Sequence, residues 1–62
     1  MVGQSVRRWR RRRGLKQEQL ATRSGLSRPF IARVETGRQL PALPTLAKLA
    51  GALRVRVDKL LR

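Results

Sequence analysis

The sequence predicts an all-α domain made of five short helices and no strand. Apolar residues recur at the helical period in each predicted segment. Glycine, serine and proline residues stand between the segments, where helices commonly begin and end. A chain of 62 residues is close to the smallest that folds alone, so we expect a single domain over residues 1–62.

The first helix is predicted from Val2 to about Arg13. Its stripe of residues at i, i+4, i+7 and i+11 consists of Val2, Val6, Trp9 and Arg13. Gly14 follows as the expected stop, in the left-handed conformation that glycine tolerates. Trp9 lies within the stripe, which favours packing in the core over stacking on a nucleic-acid base.

Arg10 to Arg13 form the only compositionally biased segment, which we call the arginine run. The helix dipole favours cations in a last turn. The same region also sets like charges four residues apart, as in Arg8 with Arg12, and such pairs are unfavourable. A 3.6-residue period distributes the run around the helix, so its members cannot all reach one surface. A partial contact with a DNA backbone and a solvated face both remain open.

The second helix is predicted over about Gln17–Ser24 and the third over about Arg28–Thr36. Ser27 is a favourable N-cap for the third helix. Pro29 lies in the first turn, where its missing N–H costs nothing. Only residues 25–27 separate the two helices, and so short a turn holds them at a steep angle.

The fourth helix is predicted over about Leu43–Leu53 and the fifth over about Val57–Leu61. One face of the fourth helix is expected to be buried: Leu43, Leu46, Leu49, Ala50 and Leu53. The loop of residues 37–42 before it contains Arg38 and Gln39.

The charge balance indicates a polyanionic partner. Lysine and arginine number 16 against 3 acidic residues, a formal net charge of +13. Histidine and cysteine are both lacking, which excludes disulfides and zinc-finger chemistry. The three carboxylates fall on three predicted helices with no nucleophile signature near them. We therefore expect no enzyme, catalytic residue, metal, cofactor or small-molecule ligand. No segment reads as a membrane span or a secretory signal, so a cytoplasmic location is expected.

Residues 17–36 follow the spacing of a helix-turn-helix. Small Ala21 lets the two helices approach closely, and Gly25 allows the turn. The shared core is supplied by Leu20, Leu26, Ile31 and Val34.

Three segments of this motif resemble the phage Cro and repressor class of helix-turn-helix regulators, the lambda-repressor-like or XRE-like family. They are GLKQEQLA at 14–21, GLSR at 25–28 and IARVETG at 31–37. The tail at 46–53 and 58–61 resembles the family's last two helices, so the resemblance covers nearly the whole chain. It implies a compact five-helix domain that regulates transcription, as a repressor, by reading double-stranded DNA. It also implies a weak homodimer that pairs on a pseudo-palindromic operator.

The resemblance also implies roles for particular residues. Those expected to meet base edges in the major groove are Ser27, Arg28, Pro29, Ala32 and Arg33. Those expected to contact the DNA backbone are Arg10, Lys16, Gln17, Arg38 and Gln39. Arg10 and Glu35 match positions that form an ion pair between the first and third helices.

The sequence departs from the family pattern at three positions. Lys16 stands where serine or threonine usually caps the second helix. Arg54 occupies the place of a common glycine, so a left-handed backbone there would be strained. Pro44 removes an N–H near the start of the fourth helix.

Two other functions are compatible with parts of the sequence. An antitoxin-type regulator would add a protein partner, although no toxin-binding extension is visible. A non-specific basic nucleic-acid binder, associated with a bacterial or phage nucleoid, would explain the charge without needing the turn geometry. RNA binding generally uses aromatic platforms, and only Trp9 and Phe30 are aromatic.

Overall fold

A computed structural model describes residues 2–62 and shows five α-helices in that range. They are α1 Val2–Arg12, α2 Gln17–Ser24, α3 Arg28–Glu35, α4 Leu43–Leu53 and α5 Val57–Leu60. No strand occurs within this part of the chain. The all-α prediction is confirmed, and each helix begins and ends within one residue of its expected bounds.

One hydrophobic core joins the five helices. Its largest fully buried apolar side chains are Val6, Leu20, Ile31, Val34, Leu49, Leu53 and Leu60. Trp9 and Phe30 are half-buried and pack against this core. The expectation that Trp9 serves packing is therefore met, and Phe30 lies at the edge of the core.

The start of α4 differs from the sequence-based expectation. Leu43 was expected on the buried face, but its side chain is 67% exposed. Pro41, two residues earlier, is buried instead. The chain therefore enters the core before α4 begins, and the first turn of α4 projects past it. The other four residues of the expected face, Leu46, Leu49, Ala50 and Leu53, are buried.

Several helices end at a residue with a left-handed backbone, which is unstrained in glycine and strained in other residues. Gly14 and Gly25 have φ of 69° and 73°, as expected for left-handed stops. Arg54 follows α4 with φ of 58°, the one positive φ at a non-glycine residue among those described. The expected strain at Arg54 is thus present, because a side chain makes this conformation unfavourable.

α1 packs closely against the C-terminal turn of α3. A Cβ atom added at Gly3 would overlap the Val34 carbonyl oxygen and lie 3.1 Å from the Glu35 carbonyl oxygen. Only glycine permits this approach. This role of Gly3 was not predicted, because nothing local in a sequence marks a glycine as an interhelical contact.

α1 and the residue that follows it are also bonded to the C-terminal part of the chain. Arg13 donates from Nε to the Leu53 carbonyl oxygen at 2.8 Å and from Nη2 to the Arg54 carbonyl oxygen at 3.3 Å. These bonds satisfy carbonyls that the end of α4 would leave unpaired. Ser5, which is fully buried, donates from its hydroxyl to the Arg62 carbonyl oxygen. No helix among residues 2–62 has the length and apolarity needed to cross a membrane.

Candidate nucleic-acid interface

α2 and α3 form a tight two-helix unit around the turn at residues 25–27. The Leu26 N–H donates to the Ala21 carbonyl oxygen at 2.9 Å, which closes the end of α2. Ser27 then caps α3, because its hydroxyl accepts the Phe30 N–H at 3.2 Å. Ile31 and Val34 turn inward, so the opposite side of α3 faces outward. The predicted helix-turn-helix is present.

The residues expected to read bases share this outward side of α3. Four of them are exposed and one is half-buried: Ser27, Arg28, Pro29 and Arg33, with Ala32 between them. An arginine fork matches the O6 and N7 acceptors of guanine. The side chains at this surface therefore have the chemistry needed to contact base edges.

Arg33 is held in place by two neighbours. Its Nε donates to the Gln39 Oε1 at 3.0 Å, and its guanidinium carbon lies 6.0 Å from the centre of the Phe30 ring. Because Nε is engaged, the two terminal Nη groups remain as the free pair for a bidentate contact. This arrangement was not predicted from the sequence, where Gln39 was expected to contact the DNA backbone.

The loop after α3 folds back onto the helix end. The backbone N–H groups of Arg38 and Gln39 both donate to the Arg33 carbonyl oxygen, at 2.9 and 3.2 Å. Both side chains remain exposed. Arg33, Arg38 and Gln39 are therefore brought together at one end of α3.

Glu35 is a buried hub joining three elements. Arg10 donates to it from Nε at 2.6 Å and from Nη2 at 3.1 Å, and the Gln17 amide donates at 3.2 Å. The side chains of Glu35 and Arg10 are only 2% and 11% exposed. Arg10 also donates from Nη1 to the Leu15 carbonyl oxygen at 2.8 Å. The structure brings the expected ion-pair partners together, while a phosphate contact by the small exposed part of Arg10 stays a prediction.

The start of α2 offers backbone rather than side-chain contacts. The Lys16 side chain makes no cap; its backbone N–H instead donates to the Gln19 Oε1 at 2.8 Å. The side-chain amide of Gln17 donates to Glu35. Its backbone N–H is in the first turn of α2 and therefore has no acceptor within the helix. For the expected contact of Gln17 with a phosphate, its backbone N–H is therefore freer than its side-chain amide.

Acidic groups are sparse around this surface. Glu35 is buried, and Asp58 lies 3.7 Å from Arg56 and 3.5 Å from Arg62. Glu18 is exposed on α2. Residues 2–62 contain no group of three or more histidine, cysteine or acidic residues that could hold a metal ion.

A five-helix domain that presents a capped, arginine-bearing helix after a three-residue turn is a helix-turn-helix domain. The helix-turn-helix family model matches residues 6–60, and the chain belongs to that family. The resemblance to Cro and repressor proteins is thereby confirmed.

Known relatives agree with this assignment. The immunity repressor protein of Bacillus phage phi105 is 44% identical over 57 residues, which are 92% of this chain and 40% of the phage protein. The restriction-modification controller protein C.AhdI from Aeromonas hydrophila superposes with a TM-score of 0.92 at 41% identity, covering 95% of this chain and 89% of that one. SinR, a master regulator for biofilm formation solved in complex with DNA, gives 0.94 at 28% identity with full coverage of both chains.

Proposed function

We propose that this domain binds double-stranded DNA sequence-specifically and regulates transcription, with α3 in the major groove. The observation that supports it most is the outward side of α3, where Arg28 and Arg33 are exposed beside the Ser27 cap. The likeness to a phage immunity repressor and to a regulator solved with DNA supports the same function. The chain spans 40% of the length of the phage relative. That likeness therefore covers only part of the phage protein, and transcriptional regulation by this chain is proposed on that basis.

The proposed contacts divide by their chemistry. Ser27, Arg28 and Pro29 enter the groove at the start of α3, and Ala32 and Arg33 follow one turn later. Backbone phosphates are met by Lys16, the Gln17 N–H, Arg38, Gln39 and the exposed part of Arg10. Phosphate contacts supply much of the affinity and position the domain, while base contacts supply the discrimination.

We further propose that the domain represses transcription as a weak homodimer that forms on a pseudo-palindromic operator. A net charge of +13 opposes pairing in free solution, and DNA removes that repulsion. The large exposed apolar side chains available for pairing are Leu40, Leu43 and Leu61. The site of action is the cytoplasm, at nucleoid DNA.

Selection from a random duplex library at physiological salt tests this function. We expect enrichment of a two-fold symmetric site with half-sites about one helical turn apart. Tight binding without enrichment would instead identify a general polyanion binder. The ratio of specific to non-specific affinity distinguishes the two, whereas salt dependence does not, because both classes show it.

Two variants separate the base-contacting and phosphate-contacting roles. Arg28→Ala is expected to cost about 1–3 kcal/mol at the selected site and to flatten the preference at one position. Arg38→Ala is expected to weaken all sequences alike and to reduce the salt slope by about one. If Arg28→Ala weakens random DNA as much as the best site, Arg28 does not read a base.

A further inference from the structure

The outward face of α1 is a strongly basic surface that the helix-turn-helix does not use. Gln4 and four arginines line an open groove of about 470 Å³ along it. The arginines are Arg7, Arg8, Arg11 and Arg12, all exposed, which we call the α1 arginine stripe.

The α1 arginine stripe has no carboxylate partner within residues 2–62. The ion pairs among those residues join Arg10 to Glu35 and join Arg56 and Arg62 to Asp58. Arg7 with Arg11 and Arg8 with Arg12 are like charges at i,i+4, an arrangement that destabilises a helix. The stripe therefore weakens the free domain locally, and an external polyanion would relieve that repulsion.

The stripe and the outward side of α3 face different directions. α1 contacts α3 through Gly3, beside the carbonyl oxygens of Val34 and Glu35, and these two residues belong to the buried side of α3. Val2 and Val6 lie on the inward side of α1 and Arg11 lies opposite them. Arg7 adjoins Arg11, while Arg8 and Arg12 flank Ser5, to whose hydroxyl Arg8 donates from Nη2 at 3.4 Å. Two packed helices, with axes about 8–10 Å apart, thus separate the two basic surfaces. The two surfaces therefore present their guanidinium groups in different directions, which leaves the stripe for a second contact.

The composition of the stripe identifies the kind of polyanion. A membrane-surface helix inserts an apolar face, but the apolar face of α1 is buried in the core. A stable protein interface uses apolar or aromatic anchors, and the groove has none. Single strands need exposed aromatic platforms, whereas Trp9 is half-buried with Arg12 5.1 Å from its ring centre. A duplex backbone needs only positive charge and hydrogen-bond donors.

We propose that the α1 arginine stripe binds the phosphate backbone of a second DNA duplex while α3 occupies the first. The inference rests on the proposed function for the α3 contact and adds a second, sequence-independent contact. One domain then joins two DNA segments. Four guanidinium groups on one helix face, each able to donate two parallel hydrogen bonds to a phosphate, supply that contact.

A capture assay tests the second contact. A biotinylated duplex on beads is loaded with the protein and washed, and a fluorescent duplex is then added at physiological salt. The intact domain is expected to retain the fluorescent duplex. The variant with Arg7, Arg8, Arg11 and Arg12 all changed to glutamine is expected to retain at least about tenfold less, because up to four phosphate contacts are lost.

The matched control changes Arg23, Lys48, Arg54 and Lys59 to glutamine. These four are exposed basic residues outside both surfaces, so the control carries the same net charge as the stripe variant. It is expected to retain the second duplex to within about twofold of the intact domain. Cooperative thermal unfolding of the stripe variant is the accompanying check, since glutamine is a good helix former.

Five results would overturn the inference. The intact domain fails to capture the second duplex; the stripe variant captures it as well as the intact domain; or the control loses it equally. In the fourth, the stripe variant loses affinity for a single duplex as strongly as Arg28→Ala, which would place the stripe on the first duplex. Displacement by polyglutamate as readily as by unlabelled duplex would favour an acidic protein partner instead. Failure of the proposed function is a separate result, namely no sequence preference in the library selection.

Discussion

The two sides of α1 use the same residue type for opposite purposes. On the side that holds the fold, Arg10 is nearly buried against Glu35, and Arg13, exposed just after α1, donates to the Leu53 carbonyl oxygen at the end of α4. On the outward side, Arg11 and Arg12 follow in the same run and have no acceptor among the described residues. Four consecutive arginines thus divide into two that hold the fold and two that face solvent. The position of each arginine around the helix axis, rather than its residue type, separates these roles.

The largest effect is expected where the inward side is most buried. Glu35→Ala leaves Arg10 with an uncompensated charge and removes the acceptor of Gln17, at a cost of about 3–5 kcal/mol. Chemical denaturation measures this change. The double variant Arg10→Met with Glu35→Leu should recover much of the loss, because no buried charge is left unpaired. An unchanged midpoint for Glu35→Ala would show that the ion pair does not brace the domain.

A second inward position tests the close approach of α1 to α3. Gly3→Ala places a Cβ atom on the Val34 carbonyl oxygen, and we expect a loss of about 1–3 kcal/mol from overpacking. Thermal unfolding measures it. Gly51→Ala is the control, because a Cβ atom at this position in α4 meets nothing within 4 Å. Equal effects of the two substitutions would contradict the tight contact.

A smaller loss is expected at Arg13, which is exposed but bonded to the end of α4. Arg13→Ala removes two hydrogen bonds to the carbonyl oxygens of Leu53 and Arg54, which should cost about 1 kcal/mol. Arg13→Lys should fail to restore the loss, since one ammonium group cannot reproduce the fork that reaches both carbonyls. Denaturant midpoints of the three proteins decide this. Full rescue by lysine would mean that charge near the end of the helix is sufficient.

The smallest effect belongs to the outward side. Arg11→Ala should change the free energy of unfolding by no more than about 0.5 kcal/mol, because the side chain is exposed and unpaired. The substitution also removes the repulsion between Arg11 and Arg7, four residues away, so any change is expected to be a slight stabilisation. A loss as large as that of Arg13→Ala would remove the distinction between the two sides of α1.

Local signals were sufficient to predict the helices. The period of the apolar residues predicted each helical segment. Gly14 and Gly25 predicted where the first two helices end, and Ser27 predicted the N-cap of α3 that the structure shows. The strain at Arg54 was also foreseeable, because the family places glycine there. Leu43 marks the limit of this reasoning, since periodicity cannot tell where a helix extends beyond the core that it packs on.

The finer geometry of the site depended on contacts between distant segments. The Arg33–Gln39 bond requires the loop to fold back onto α3, and the Arg13 bonds cross 40 residues of sequence. Neither has a local signature. Gln17 was placed correctly at the start of α2, yet its amide faces Glu35, which only the packing of three helices determines. The Arg10–Glu35 pair was expected solely because the family resemblance supplied it.

The left-handed backbone of Arg54 makes the domain less stable to heat than it would be with glycine at this position. Its backbone conformation costs on the order of 1 kcal/mol that a glycine would not incur. Its carbonyl oxygen accepts a hydrogen bond from Arg13. Any residue at this position would provide the same acceptor. A single exchange to glycine would therefore raise the melting temperature without altering either basic surface. Such a position could offset destabilising changes elsewhere while the outward side of α3 diversifies.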